Sequence, residues 1–317
     1  MEEEVEIKNK YKIIPLTDEG ELRDNEAFKL KSPRRMIMLG QSLMGKTYNV
    51  INIPKFLIMD ADKETDYYPW CRNYVKVAND EVERYYLLEN NVVIPAAIYE
   101  LVMEMRTANR MDLFEKFSRK IERSKDATKK KQYFRYLKKL INDMPFAVLV
   151  ADSLTSLQKL NHGAALYGYN LRVKPESRKT DIKHTDQWGG VSNIRPNFAG
   201  ILEFIETASP YTLYTAHIKE KKNVLEKGPE DLVPLDIALE GIQSSSITSR
   251  MAAVGIFYRN KEGCFLDFVK RDETDIGARP PHMANRIIKI AEPLKKQGEP
   301  SITFWNKIYL ELRFKTA

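Results

Sequence analysis

Lys46 and Thr47 close the string Gly40-Gln41-Ser42-Leu43-Met44-Gly45-Lys46-Thr47, a G-x-x-x-x-G-K-T pattern. Each residue type in it has a chemical reason. Gly40 and Gly45 let the backbone curl and carry its N–H groups close to phosphate oxygens. Lys46 can reach β- and γ-phosphates, and the Thr47 hydroxyl can ligate Mg²⁺. The spacing predicts a nucleotide cradle over Gly40 to Thr47, with Tyr48 beside it. The elements that hold such a loop are legible on either side. Met36 to Leu39 is a short apolar run that reads as a buried strand. Tyr48 to Ile53 reads as the start of a short helix, whose positive dipole end would face the phosphates.

Three further apolar runs end in polar groups. Lys55 to Asp60 reads as a second strand, followed by the carboxylates of Asp60, Asp62 and Glu64. Ligands of open α/β sheets bind at the C-terminal strand ends. A carboxylate there can orient or deprotonate an attacking water, and a solvated acidic turn is an equal reading. Phe146 to Ser153 ends in Asp152, placed to hold a metal ion that bridges phosphates. Tyr211 to His217 is another buried strand with His217 at its end. By itself that imidazole reads first as a group hydrogen-bonded within the sheet. Tyr74 to Ala78 is a third short strand of the same kind.

Composition bounds the class. The chain has 317 residues, 43% hydrophobic and 30% charged, as in ordinary globular proteins. No run of about 18 apolar residues is present, so no membrane span is expected. Cys71 and Cys264 are the two cysteines, too few for a disulfide framework or a cysteine zinc site. The acidic start Met1-Glu2-Glu3-Glu4 is unlike a secretory or mitochondrial leader, and a cytoplasmic location is expected. A formal net charge of +7 permits a polyanionic partner without identifying one.

Residues 1–33 read as a polar N-terminal arm with a small strand at Tyr11 to Leu16. Residues 81–144 read as a mostly helical insertion. Within it, Ala96 to Met111 carries Ile98, Leu101, Val102 and Met105 on one helix face. Lys116 to Lys139 is basic, interleaved with Phe117, Tyr133, Phe134 and Tyr136. An amphipathic helix pair with a solvated basic face is the favoured reading there, ahead of a polyanion-binding hairpin. Residues 158–197 show little apolar periodicity and read as a long irregular loop. Its aromatic and basic residues suit contact with single strands. Phe198 to Thr207 reads as a helix and residues 218–246 as a mobile loop. Ser249 to Tyr258 and Gly263 to Val269 read as two strands around a turn. Residues 276–317 form a C-terminal segment, with a short helix after Met283. No repeat or linker divides the chain, so one α/β domain with a mainly parallel central sheet flanked by helices is expected.

Taken together, the phosphate loop, Leu57-Ile58-Met59-Asp60-Ala61-Asp62, Val148-Leu149-Val150-Ala151-Asp152-Ser153-Leu154-Thr155 and Leu213-Tyr214-Thr215-Ala216-His217-Ile218-Lys219 resemble the RecA-like P-loop ATPase core. In style they are similar to the phage nucleotide-binding proteins linked to single-strand annealing and recombination. The likeness covers roughly residues 34–275. It implies that ATP and Mg²⁺ bind at Lys46 and Thr47, with Asp152 as the metal-side acid. The family's catalytic glutamate position holds Asp62 here, one methylene shorter, with Glu64 as a substitute. His217 falls where the family carries a γ-phosphate sensor. The loops after Asp152 and His217 match the family's DNA-contacting loops. Arg172, Lys174, Trp188, Lys219, Lys221 and Lys222 are therefore the candidate DNA contacts. The family completes its nucleotide site in trans, a part that Lys270, Arg271 or Arg279 would play.

The resemblance thus implies an ATP-hydrolysing protein acting on single-stranded DNA in phage-type recombination, annealing or replication, in the host cytoplasm if phage-encoded. Self-association into a ring or filament and a single-strand-binding protein as partner go with it. A helicase-type motor or loader is one alternative. A weakly hydrolysing nucleotide-binding assembly or scaffold protein is another, kept open by Asp62.

Overall fold

The apolar runs through Gly40, Asp60, Asp152 and His217 are strands of one sheet. The computed structural model describes residues 28–51, 53–68, 71–77, 86–185, 191–220, 235–239, 243–270, 275–293 and 302–313. In chain order the strands are β1 (Arg35–Gly40), β2 (Phe56–Asp60), β3 (Tyr74–Lys76), β4 (Tyr86–Glu89), β5 (Val92–Pro95) and β6 (Val148–Asp152). They continue as β7 (Tyr211–Glu220), β8 (Leu235–Ile237), β9 (Ala253–Asn260), β10 (Gly263–Asp267), β11 (Gly277–Ala278) and β12 (Ile287–Ala291). The helices are α1 (Ala96–Ala108), α2 (Met111–Arg123), α3 (Ala127–Asp143), α4 (Leu154–Arg172), α5 (Val191–Ile205) and α6 (Gln243–Arg250).

The main path of the sheet is β12-β10-β9-β1-β7-β6-β2-β3. From β9 to β3 every pairing is parallel, while β10, β12, β11 and β8 join antiparallel. The parallel centre is buried on both faces, which is why its strands read as unbroken apolar runs. Alternate residues go to opposite layers. Met36 and Met38 of β1 pack with Phe56, Val148, Ile141, Trp305 and Tyr309 on one side. Ile37 and Leu39 pack with Leu149, Tyr214, Ile98, Leu202 and Ile205 on the other. Helices α2 and α3 with the C-terminal segment cover the first face, and α1, α4 and α5 the second. The result is an α/β architecture with a mostly parallel sheet between helical layers.

In α1 the four residues Ile98, Leu101, Val102 and Met105 are the buried ones. Asn109 then ends the helix and ties it to the sheet, its amide donating to Phe146 O at 2.7 Å and Ala208 O at 3.0 Å. The basic stretch forms α2 and α3. Asp126 caps α3 by accepting from the backbone of Thr128 and Lys129. Phe117 stacks with Tyr136, Lys120 lies over Tyr133 and Lys138 over Phe134, while Lys116, Lys131 and Lys139 are exposed.

Several expectations need correction. The residues after the phosphate loop form only a 3₁₀ turn, Thr47–Asn49, and not a helix to Ile53. Pro54 lacks an N–H and disfavours helical geometry in the residue before it, which stops propagation. Where a long irregular loop was expected at 158–197, the described residues form the body of α4, two 3₁₀ turns and the start of α5. The face that α4 buries includes Gln158, Asn161, Ala164, Ala165 and Gly168. Its polar members are matched by hydrogen bonds: Asn161 donates to Ile194 O at 2.9 Å, and Asn197 of α5 donates to Asn161 Oδ1 at 2.8 Å. From Gln158 onward this buried face is mainly small and amide side chains, which leave little hydrophobic period to read.

The stretch 218–246 is likewise not a single mobile loop. It includes the end of β7, the strand β8 paired with it, and the start of α6. Residues 249–252 finish α6 and the turn after it, so the next strand starts at Ala253. After Met283 the chain forms the strand β12 and a 3₁₀ turn, Trp305–Lys307, where a short helix was expected. The strand expected at Tyr11 to Leu16 lies outside the described residues.

Candidate functional site

The phosphate loop is held by strand pairing on both sides of β1. Gly40 is in register with His217 of β7, and Leu39 with Ile256 of β9. A Cβ on Gly40 would come within 3.3 Å of both the Lys46 side chain and Phe257 O, a tight approach that a side chain could enter only if a neighbour gave way. Gly45 has φ +91°, a left-handed conformation in which a side chain is strained. Leu43, also left-handed at φ 62°, stands 94% exposed at the loop's tip. Asn49 N donates to Gly45 O at 3.1 Å and the Asn49 amide donates to the same oxygen at 2.8 Å, closing the loop from below. Among the described residues, the N–H groups of Gln41, Leu43, Met44 and Gly45 meet no acceptor. Those groups are the donors a phosphate cradle needs. With a single 3₁₀ turn behind the loop, the expected helix dipole is not provided, and these N–H groups and Lys46 are the donors that the loop presents.

Lys46 is buried, its ammonium donating to Gln41 O at 2.8 Å and Gly40 O at 3.1 Å. It also stands 3.4 Å from His217 Nδ1. An ammonium only donates, so Nδ1 is the accepting nitrogen and the proton belongs on Nε2. Ser42 Oγ reaches the same Nδ1 at 3.2 Å. Through Nδ1, His217 thus meets the phosphate loop itself.

Thr47 and Asp152 meet in the interior. The Thr47 hydroxyl donates to Asp152 Oδ2 at 2.7 Å, and Thr215 Oγ1 donates to Asp152 Oδ1. Strand order explains the meeting. β7 lies between β1 and β6, so Thr215 of β7 bridges the loop strand and the aspartate strand. The Asp152–Ser153 peptide bond is cis. The hydroxyl and carboxylate fit Mg²⁺, a hard cation that takes one or two protein oxygens, phosphate oxygens and several waters. No cluster of three or more His, Cys, Asp or Glu able to hold a metal occurs among the described residues.

The acidic tail of β2 divides into two roles. Asp60 is fully buried and structural: it accepts from Thr65 Oγ1, from Thr65 N at 3.2 Å and from Asp62 N at 3.2 Å. Asp62 is half-buried at the ligand edge, and Ser156 Oγ of α4 donates to its Oδ1. β2 stands three strand spacings from β1, about 14 Å. Glu64 begins a 3₁₀ turn, Glu64–Tyr67, and its side chain lies outside what is described. Tyr48 packs edge-on against Tyr68 at 6.0 Å.

The other candidates lie apart. Arg172 Nη1 donates to Asn193 Oδ1 at 3.0 Å, bracing α4 against α5, while Lys174 is exposed. Lys219 is in β7 with its side chain not described, and Trp188, Lys221, Lys222 and Arg271 lie outside the described residues. Arg279 follows β11, its N–H on Ala252 O at 2.8 Å and its Nη2 on Ser249 O at 2.7 Å. Ala253 is level with Met36, so Arg279 sits at the end of β1 opposite Gly40. Lys270 is exposed, beyond Asp267, which pairs with Ile256 at the level of Leu39. From there the chain runs away from the loop's edge, so neither cation serves its own chain's phosphate loop.

Residue type alone marks no role for Thr215, which stands in the strand motif quoted above, or for Ser156. A hydroxyl two residues before a strand-end histidine, and one a turn after a strand-end aspartate, were the available signals. No family model and no curated protein matches this chain.

Proposed function

We propose that this chain is a RecA-like, ATP-binding and ATP-hydrolysing protein that acts on single-stranded DNA. The observation that carries the reading is the junction of Thr47 with Asp152, next to the Lys46–His217 contact. Residues 105 apart in sequence converge where a triphosphate on Gly40 to Thr47 would end.

In this reading the loop N–H groups and Lys46 bind and orient the phosphates. Thr47 and Asp152 hold Mg²⁺, which supplies charge neutralisation for phosphoryl transfer. Asp62 orients water, fixed in direction by Ser156. His217 reports the state of the loop through Ser42 and Lys46 to β7, whose continuation leads toward Lys219. Basic groups such as Lys270 or Arg279 would complete a neighbouring chain's site in a ring or filament.

Steady-state ATP hydrolysis tests the proposal, measured alone, with single-stranded DNA and with duplex DNA at fixed low salt. Stimulation by single strands is expected. Equal rates under all three conditions would sink it. One observation favours a second reading, a weakly hydrolysing nucleotide-dependent assembly protein: the Asp62 carboxylate is short by a methylene and already engaged by Ser156. Tight ATP binding with negligible turnover in every condition would favour that reading.

A further inference from the structure

The sheet end opposite the phosphate loop carries a second concave site. It is a groove of about 1070 Å³, and its cationic walls are Lys29, Lys31, Arg34, Arg35, Arg250 and Arg279. Among the described residues no carboxylate lines it. Leu30, Pro281, His282 and Leu310 give it apolar and flat surfaces between the charges. It lies about five strand residues from Gly40 along β1, roughly 17 Å.

The groove is built, not a chance meeting of surface side chains. Its backbone walls are hydrogen-bonded to one another: Ala252 N to Arg35 O at 2.9 Å, Thr212 N to Arg34 O at 2.8 Å, and Arg279 N to Ala252 O at 2.8 Å. Buried Glu311 pins the Lys31–Ser32 segment of the wall, accepting from Lys31 N at 2.6 Å, from Ser32 Oγ, and from Tyr211 OH at 3.0 Å. His282 Nε2 is 3.0 Å from Ile308 O. Beneath the floor, Glu206 meets Arg35 at 2.7 Å and Arg250 at 3.8 Å, and Arg250 meets Glu203 at 3.0 Å. These two carboxylates hold two guanidinium groups in place and leave the lining with an excess of positive charge. Arg34 leans over Phe114, 5.7 Å from its ring centre.

We propose that this groove takes the phosphate backbone of a single-stranded nucleic acid, a second strand-binding site separate from the nucleotide edge of the sheet. Guanidinium forks suit phosphate oxygens, and flat apolar surfaces between cations suit unpaired bases. The choice of a single strand rests on the function proposed above; the polyanionic character rests on the groove alone.

The test is fluorescence anisotropy of a labelled oligothymidylate with the full chain across a salt series, with ATP binding measured in parallel. The groove variant is Lys29→Gln, Lys31→Gln and Arg34→Gln. A control removes equal charge from the helical hairpin: Lys116→Gln, Lys131→Gln and Lys139→Gln. The expected result is about tenfold or greater loss of strand affinity in the groove variant. Its salt slope should shrink by about two, since each phosphate that the protein no longer neutralises lowers the slope by about 0.7. ATP affinity should be retained, and the control should change little. A wild-type chain that binds no strand overturns both this site and the single-strand reading. Strand binding that the two variants weaken equally, or that the groove variant leaves intact, overturns the groove alone. Competition by poly-glutamate as strong as that by unlabelled oligothymidylate overturns the strand assignment in favour of an acidic protein segment.

Discussion

The Thr47 hydroxyl lies 2.7 Å from Asp152 Oδ2, and Thr215 occupies the other carboxylate oxygen. Asp152 is therefore fixed between two hydroxyl donors. Asp152→Asn keeps the shape but loses the charge and one acceptor. Mg²⁺-dependent ATP binding, titrated with and without the ion, should weaken by about tenfold or more, about 1.4 kcal/mol. An unchanged dependence on Mg²⁺ would remove Asp152 from the metal's surroundings.

Lys46→Ala removes the ammonium that spans Gly40 O, Gln41 O and His217. Turnover should fall to background while the fold, followed by circular dichroism, persists. Normal hydrolysis in this variant would refute the nucleotide reading.

His217→Gln retains a polar side chain but not the acceptor geometry that faces Ser42 and Lys46. ATP affinity should change little, while strand-stimulated turnover should drop by about tenfold. A uniform loss of ATP affinity with stimulation intact would make His217 a support of the loop and not a reporter.

Asn197 is a stability prediction outside the site. Its amide accepts from Val93 N at 2.8 Å and donates to Val93 O at 2.9 Å and Asn161 Oδ1 at 2.8 Å. Asn197→Ala leaves these buried groups unmatched and should cost about 2–3 kcal/mol in denaturant unfolding. A change below about 0.5 kcal/mol would mean that the network does not matter to folding.

Glu206 links stability to pH. Burial pushes its carboxyl up from the ordinary 4.5, outweighing the lowering by Arg35, Arg250 and the Tyr214 hydroxyl, with Glu203 adding to the rise. Between the ordinary value and the raised one, the folded chain binds more protons than the unfolded chain. Its contribution to stability therefore falls as pH rises above about 4.5. Glu206→Gln should flatten that decline in unfolding experiments. An identical pH profile would show that the two guanidinium partners compensate the burial.

The buried parallel strands and the phosphate loop were readable from the chain because their signals are local. β1 is an unbroken apolar run that ends in spaced glycines, and β6 is one that ends in an acid. What lay beyond the sequence was everything set by pairing. Beyond Leu154 and Leu157, α4 buries mainly Gln158, Asn161 and small residues, so over that stretch hydrogen bonds with α5 mark its buried face more than hydrophobicity does. Thr215 has a partner only because β7 lies between β1 and β6. The basic groove is assembled from the approach to β1, the end of α6 and the turn after β11, segments up to about 250 residues apart in the chain. Residue type and spacing determined which chemistry the loop can offer. Tertiary structure alone decided which hydroxyl, imidazole or guanidinium stands beside it, because strand order is settled by long-range pairing that no local pattern encodes.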